Sequence, residues 1–232
     1  MSSARVGRVL PGVDGLAVAL VDLWTTPSDP WNQSGSFCGM MELGQYWNQN
    51  RTGVDRTLVH FMSGKNTSSG IAWLSVLCSG PFNVNVGSSC PGMASTGLYG
   101  GDYGFTGGIR GTFNLSSPQV IWDIVAVMHE IGHNFSSPHT HCYKGLEGNG
   151  QPVDQCYGAE GGTSCHAGTN TLPCNTVGGR CGTLMSYCHL LSGGFGNIAM
   201  TFGQGHPFGV EPERVPTRMR NHVLHTASFN NT

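Results

Sequence analysis

Apolar residues fall into a few short runs separated by glycine- and proline-containing stretches, and the runs differ in period. Leu16 to Trp24 (LAVALVDLW) is apolar and β-leaning, and predicts a strand buried on both faces. Thr25 to Trp31 follows as a proline-containing loop. Between Phe37 and Asn50, Cys38, Met41, Leu43 and Trp47 have the loose spacing of an amphipathic helix. Thr57–Ser63 (TLVHFMS) and Ile71–Leu77 (IAWLSVL) predict two further strands, the second bounded by Gly70 and by Cys78-Ser79-Gly80-Pro81. His60, inside the first of these, reads as a satisfied core histidine. Leu98–Phe113 is glycine-rich, with a short strand expected near Phe105–Arg110. No lysine followed by serine or threonine closes that loop, which excludes a P-loop.

Ser117-Pro118 reads as a helix start, serine at the N-cap and proline at the first helical position. The run QVIWDIVAVMHEIGHN is apolar on most faces, predicting a buried helix from Pro118 to about Asn134, roughly 25 Å long at about 1.5 Å per residue. Pro138 disfavours helical geometry at Ser137, so the chain leaves the helix before His139. From there to Cys188 no helical or strand period is visible. Pro212 to about Ser228 predicts a C-terminal helix interrupted or started by Pro216. Its His222 and His225 are read as solvated or packing residues.

At 232 residues and 24.6 kDa the chain fits one domain, with an N-terminal lobe at about 1–136 and a C-terminal lobe at about 137–232. Charged residues are 10% and the formal net charge is −2, which gives no electrostatic case for nucleic acid or an anionic membrane. The 36 glycines signal turns rather than disorder, because hydrophobic content is an ordinary 38%. Nine cysteines change the picture more. Six lie between Cys142 and Cys188, and no CxxC pair occurs, which argues against zinc fingers and for disulfides in an oxidising, extracellular compartment. Six cysteines allow fifteen pairings, so connectivity is not deducible. Cys78 and Cys90 form a nearby pair, leaving Cys38 as the odd cysteine. The stretch after Met1 lacks the sustained apolar core of a signal peptide, and no segment is long and apolar enough to span a membrane. The expectation is a piece of a longer secreted precursor.

The chemistry concentrates in HEIGHNFSSPH, His129 to His139. Two histidines four apart sit one turn above each other on a helix, so both imidazoles leave the same face and can share a metal. Glu130 lies about 100° round the helix from His129, placed to reach a metal-bound water rather than to be a ligand. His139 supplies a third imidazole, and three neutral imidazoles plus a water make an open, catalytic zinc site.

This stretch resembles the metzincin signature HExxHxxGxxH, in which three histidines hold the zinc of an endopeptidase. Thr183-Leu184-Met185-Ser186-Tyr187 resembles the family's Met-turn, and DRTLVHFMSGK and GIAWLSVLC resemble the strand pair of the reprolysin-like (adamalysin) branch. The resemblance implies an α+β fold. A twisted, mostly parallel sheet with an antiparallel edge strand would precede a central active-site helix, and an irregular, disulfide-rich C-terminal lobe would end in a helix. It further implies Zn2+ on His129, His133 and His139, Glu130 as general base, a packing role for Met185, and an extended protein or peptide substrate. Ile71, Ala72 and Trp73 on the edge strand, with Leu190 and Leu191 beyond the Met-turn, would bind that substrate. Tyr187 stands two residues after Met185, as in astacins and serralysins, either reaching the zinc or oxyanion or packing within the turn.

Two positions depart from the signature. Ser136 occupies the glycine site, and Thr140 follows the third histidine where branch-specific residues stand. His141 competes with His139 for the third position, and family spacing favours His139. A third ligand of the gluzincin type, from Glu147 or Glu160, fails because neither lies in a helical pattern. The chain is expected to be monomeric, neither inserted in a membrane nor bound to nucleic acid. The competing reading is a secreted binding or adhesion module on the same scaffold.

Overall fold

In the computed structural model, which describes residues 4–5, 20–25, 29–65, 69–112 and 121–229, the apolar runs of the first half become short strands around one helix. β1 (Ala4–Arg5) pairs antiparallel with β2 (Leu20–Val21). The strand expected over Leu16–Trp24 is thus represented by two residues. It is not buried on both faces, since Val21 is exposed, and residues 16–19 lie outside those described. α1 (Ser36–Asn50) buries Met40, Leu43, Gly44 and Trp47, spaced i, i+3, i+4, i+7 as one apolar face requires. That face packs on Tyr99, Tyr103 and Phe105 to form the larger core.

Among the described residues five more strands follow: β3 (Val59–Met62), β4 (Gly70–Ala72), β5 (Phe82–Asn85), β6 (Thr96–Gly100) and β7 (Tyr103–Thr106). β5 and β6 form an antiparallel hairpin. The central sheet has the order β3-β7-β4, with β3 parallel to β7 and β4 antiparallel on the edge. The expected antiparallel edge strand is therefore present.

It is, however, shorter than Ile71–Leu77. The peptide N–H groups of Ser75 and Val76 turn away from the sheet to the carbonyls of His133 (3.0 Å) and Asn134 (3.2 Å). Ser75 and Cys78 take left-handed backbone angles, φ 62° and 56°, that a strand cannot contain. Those N–H groups instead satisfy carbonyls at the end of the following helix, which have no partner within it.

α2 (Trp122–Asn134) starts without a side-chain cap at Ile121, while the carboxylate of Asp123 accepts from the peptide N–H groups of Arg110 (2.9 Å) and Gly111 (2.7 Å). The expected start at Ser117-Pro118 lies outside the described residues. The second half, irregular as expected, has two small apolar clusters of its own, one around Leu184, Cys188 and Ile198, the other around Tyr143, Met185 and Val215. α3 (Arg214–Phe229) closes the chain with Pro216 in its first turn, where a missing N–H costs nothing. The buried guanidinium of Arg214 donates to the carbonyls of Tyr143, Leu146, Gln151 and Val210, tying the loops to this helix.

Disulfides complete the framework: Cys38–Cys90, Cys142–Cys165, Cys156–Cys188 and Cys174–Cys181. All six cysteines of the irregular half are oxidised. The expected pairing of Cys78 with Cys90 is corrected. Cys38 on α1 stands with its Cα 5.3 Å from that of Cys90, and Cys78 belongs to none of the four bridges. Its peptide N–H is bound to the Thr57 carbonyl (2.8 Å) in the left-handed turn after β4.

Candidate metal centre

α2 carries His129, Glu130 and His133 in its last turns, and the two imidazole centroids stand 4.8 Å apart on one face. The helix then stops in a defined way. Ser137 N–H donates to the Gly132 carbonyl (3.0 Å) and Ser136 N–H to that of His133 (2.8 Å), with Ser136 left-handed at φ 79°. This is the Schellman pattern, whose left-handed residue is usually glycine. Here a serine holds it. Its Oγ is hydrogen-bonded to Ser75 Oγ (2.9 Å) and its carbonyl accepts from Arg218 Nε (2.6 Å). The turn sends the chain back so that His139 faces the helix, and one ring nitrogen each from His129, His133 and His139 lies within 4.8 Å of the others. His141 lies outside this trio.

Each of the three rings is anchored at Nδ1. His129 Nδ1 lies 2.7 Å from the Leu184 carbonyl, His133 Nδ1 2.7 Å from the Ser137 carbonyl, and His139 Nδ1 2.6 Å from Glu160 Oε2. These oxygens only accept, so every Nδ1 carries a proton and Nε2 is the nitrogen left to face a metal. Burial holds His129 well below its ordinary pKa and His133 at about 4, so both are neutral at physiological pH. Three imidazole nitrogens held on one side of the helix end are a donor set that zinc prefers.

Glu130 is buried, and burial pushes its pKa up to about 8. Its carboxylate lies against β4 at Gly70, where an added Cβ would stand 2.2 Å from Oε1. Under α2 passes the turn Thr183–Ser186, closed by Ser186 N–H to the Thr183 carbonyl (3.1 Å). Met185 is fully buried, with its sulfur 2.3 Å from where a Cβ on Gly132 would be, so a larger residue there would displace the methionine. The Met185 carbonyl accepts from Thr140 N–H (3.0 Å), which ties the turn to the segment carrying His139.

A model of metallo-peptidase family M12 matches residues 16–195, well over half of the chain. The chain belongs to that family. No curated protein and no solved structure matches it.

For an M12 metallopeptidase, a family of zinc-dependent peptidases, the surroundings of the three histidines are informative. The Tyr187 ring lies 4.3 Å from that of His139 and stacks on His129 at 5.7 Å, so the residue is beside the trio and not packed away from it. Burial raises its pKa. Of the residues expected to meet substrate, Ile71 and Trp73 pack towards the larger core and Ala72 is half-buried between them on β4. Leu190 is 58% exposed, whereas Leu191 packs on the Leu184–Ile198 cluster.

Glu160, considered in the sequence only as a third ligand and set aside, takes a part that its spacing did not suggest. It accepts from His139 Nδ1 and from His141 Nε2 (2.8 Å) on a single oxygen, and chiefly the His139 hydrogen bond lowers its pKa to about 2. Nothing in its spacing signals this contact.

Proposed function

We propose that the protein is a secreted zinc endopeptidase in which His129, His133 and His139 hold the metal and Glu130 is the general base. The observation that carries the reading is the trio of Nδ1-anchored imidazoles beside one buried carboxylate with no ion-pair partner among the described residues. A zinc ion held there would lower the pKa of its water towards about 7 and polarise a carbonyl. Glu130 takes the proton of the attacking water and passes it to the leaving nitrogen of the scissile peptide. Its raised pKa suits the second task, and a neighbouring dication favours the carboxylate needed for the first. Tyr187 keeps its proton at neutral pH, so its hydroxyl donates to the oxyanion.

β4 offers its outer edge to an extended polypeptide, which would add to the sheet through main-chain hydrogen bonds. With exposed Leu190 on the side beyond the scissile bond, a hydrophobic residue is preferred there. The four disulfides support an extracellular location. Among the described residues no helix is long and apolar enough to cross a membrane.

The test is hydrolysis of a denatured protein, blocked by a chelator, with Glu130→Gln alongside. The variant is expected to keep its zinc and lose hydrolysis. Comparable activity would remove Glu130 from the mechanism, and zinc-loaded wild type without hydrolysis would favour an adhesion scaffold.

A further inference from the structure

We propose that Glu160 is the positioning residue for the third zinc ligand, a carboxylate held on His139 by the disulfide-bounded loop in which it lies. The proposal rests on the zinc reading above. The three imidazoles are not anchored alike. His129 and His133 sit on a rigid helix and donate to peptide carbonyls. His139 sits in irregular chain after the helix, and its Nδ1 partner is a carboxylate oxygen at 2.6 Å. Hydrogen bonds to an ionised acceptor are roughly twice as strong as neutral ones. They also make the opposite ring nitrogen a better donor to metal. The ligand with the least backbone support therefore has the strongest side-chain support.

The same oxygen accepts from His141 Nε2 at 2.8 Å, and the His139 and His141 rings stack at 5.3 Å. His141 is fully buried and steadies the carboxylate from behind. The separations of 2.6 and 2.8 Å are those of hydrogen bonds. Two atoms sharing a tetrahedral zinc at about 2.1 Å each would stand about 3.4 Å apart, so this second trio is not itself read as a metal site.

Glu160 lies between Cys156, bridged to Cys188, and Cys165, bridged to Cys142. Peptide hydrogen bonds from Lys144 to Ser164 (3.0 Å) and from His166 to His141 (2.7 Å) fasten the loop to the strand of chain that follows His139. A solvated surface glutamate would need none of this.

The experiment measures zinc affinity by chelator competition for wild type, Glu160→Gln and Glu160→Ala. Disulfide mapping and thermal melting of the zinc-free forms report structural damage. Dissociation constants are expected to rise 10–100-fold in Glu160→Gln, and at least as much in Glu160→Ala, with melting unchanged. Values within threefold of wild type for both variants would overturn the proposal while leaving the zinc reading intact. A wild type that binds no zinc would end both. Should the variants fail to fold, 15N NMR of the zinc-free wild type decides. The proton of the His139 ring is expected on Nδ1, shifted downfield by the carboxylate, and a proton on Nε2 would refute the assignment.

Discussion

Replacing Gly70 by alanine places one methyl group where the Glu130 carboxylate now lies. The added carbon would stand 2.2 Å from Oε1 and 2.6 Å from both Cδ and Cγ. Heavy atoms pack comfortably at about 3.5 Å, so something must give by about 1 Å. The backbone at Gly70 is not left-handed and tolerates alanine. Nor is the strand free to retreat, since Gly70 pairs with Thr106 and Gly107 N–H donates to the Ser69 carbonyl (3.0 Å). Contact with Cγ as well as the oxygen means that turning the carboxylate in place brings no relief. The whole Glu130 side chain has to change rotamer.

Misplacing a catalytic group by about 1 Å costs on the order of 100-fold, or about 2.7 kcal/mol at about 1.36 kcal/mol per tenfold. Gly70→Ala is therefore expected to lose about two orders of magnitude in kcat on a quenched peptide, with KM little changed and zinc retained. Added to Glu130→Gln, it should cost nothing further, because both act on one group. A variant within threefold of wild type would refute the reasoning, and so would a loss traced to departed zinc.

Three further expectations follow from the same geometry. His139→Ala should weaken zinc binding sharply while His141→Ala still retains zinc through gel filtration, and the reverse result would mean that the third ligand is misassigned. Ser136→Ala should lower stability by about 1 kcal/mol in urea unfolding, because it keeps the left-handed backbone and loses the Ser75 hydroxyl bond. Ser136→Gly, which also relieves the backbone, should be nearly neutral, and equal losses in both variants would contradict this division. Burial holds His60 at about 4 against an unfolded value near 6.5. Below about pH 6.5 the unfolded chain binds the proton that the fold refuses. About 3 kcal/mol present above that pH is then lost as pH falls towards about 4. His60→Gln should flatten that part of the urea-midpoint profile, and an unchanged profile would exclude His60 as its source.

How much of this was legible in the sequence depends on how far each contact reaches along the chain. His129 and His133 are four apart, one helical turn, so the sequence spacing is itself the geometry. Glu130 follows by adjacency and His139 by its family spacing. Ser136 was visible as an anomaly, though its bond to Ser75, 61 residues earlier, was not. The strand at Ile71 reads as seven apolar-rich residues, yet it ends at Ala72. A period cannot reveal that the N–H groups of Ser75 and Val76 are claimed by the end of another element. Cys38 and Cys90 stand 52 residues apart, and only the packing of α1 on the hairpin brings them together.

The anchoring of the three histidines follows a further logic that no local pattern carries. His133 is tied to Ser137, only four residues on. His129 is tied to Leu184, in the turn 55 residues away, and His139 to Glu160, in the disulfide loop. Two of the three tautomers are thus set by chain with no regular helix or strand of its own. That part of the molecule buries few apolar groups, and the bridges Cys142–Cys165, Cys156–Cys188 and Cys174–Cys181 restrict it instead. In the zinc reading proposed above, the helix would supply two ligands and the base, whereas the cross-linked loops would orient the rings. On that reading, reducing the bridges is expected to weaken zinc binding, even though no cysteine belongs to the histidine trio.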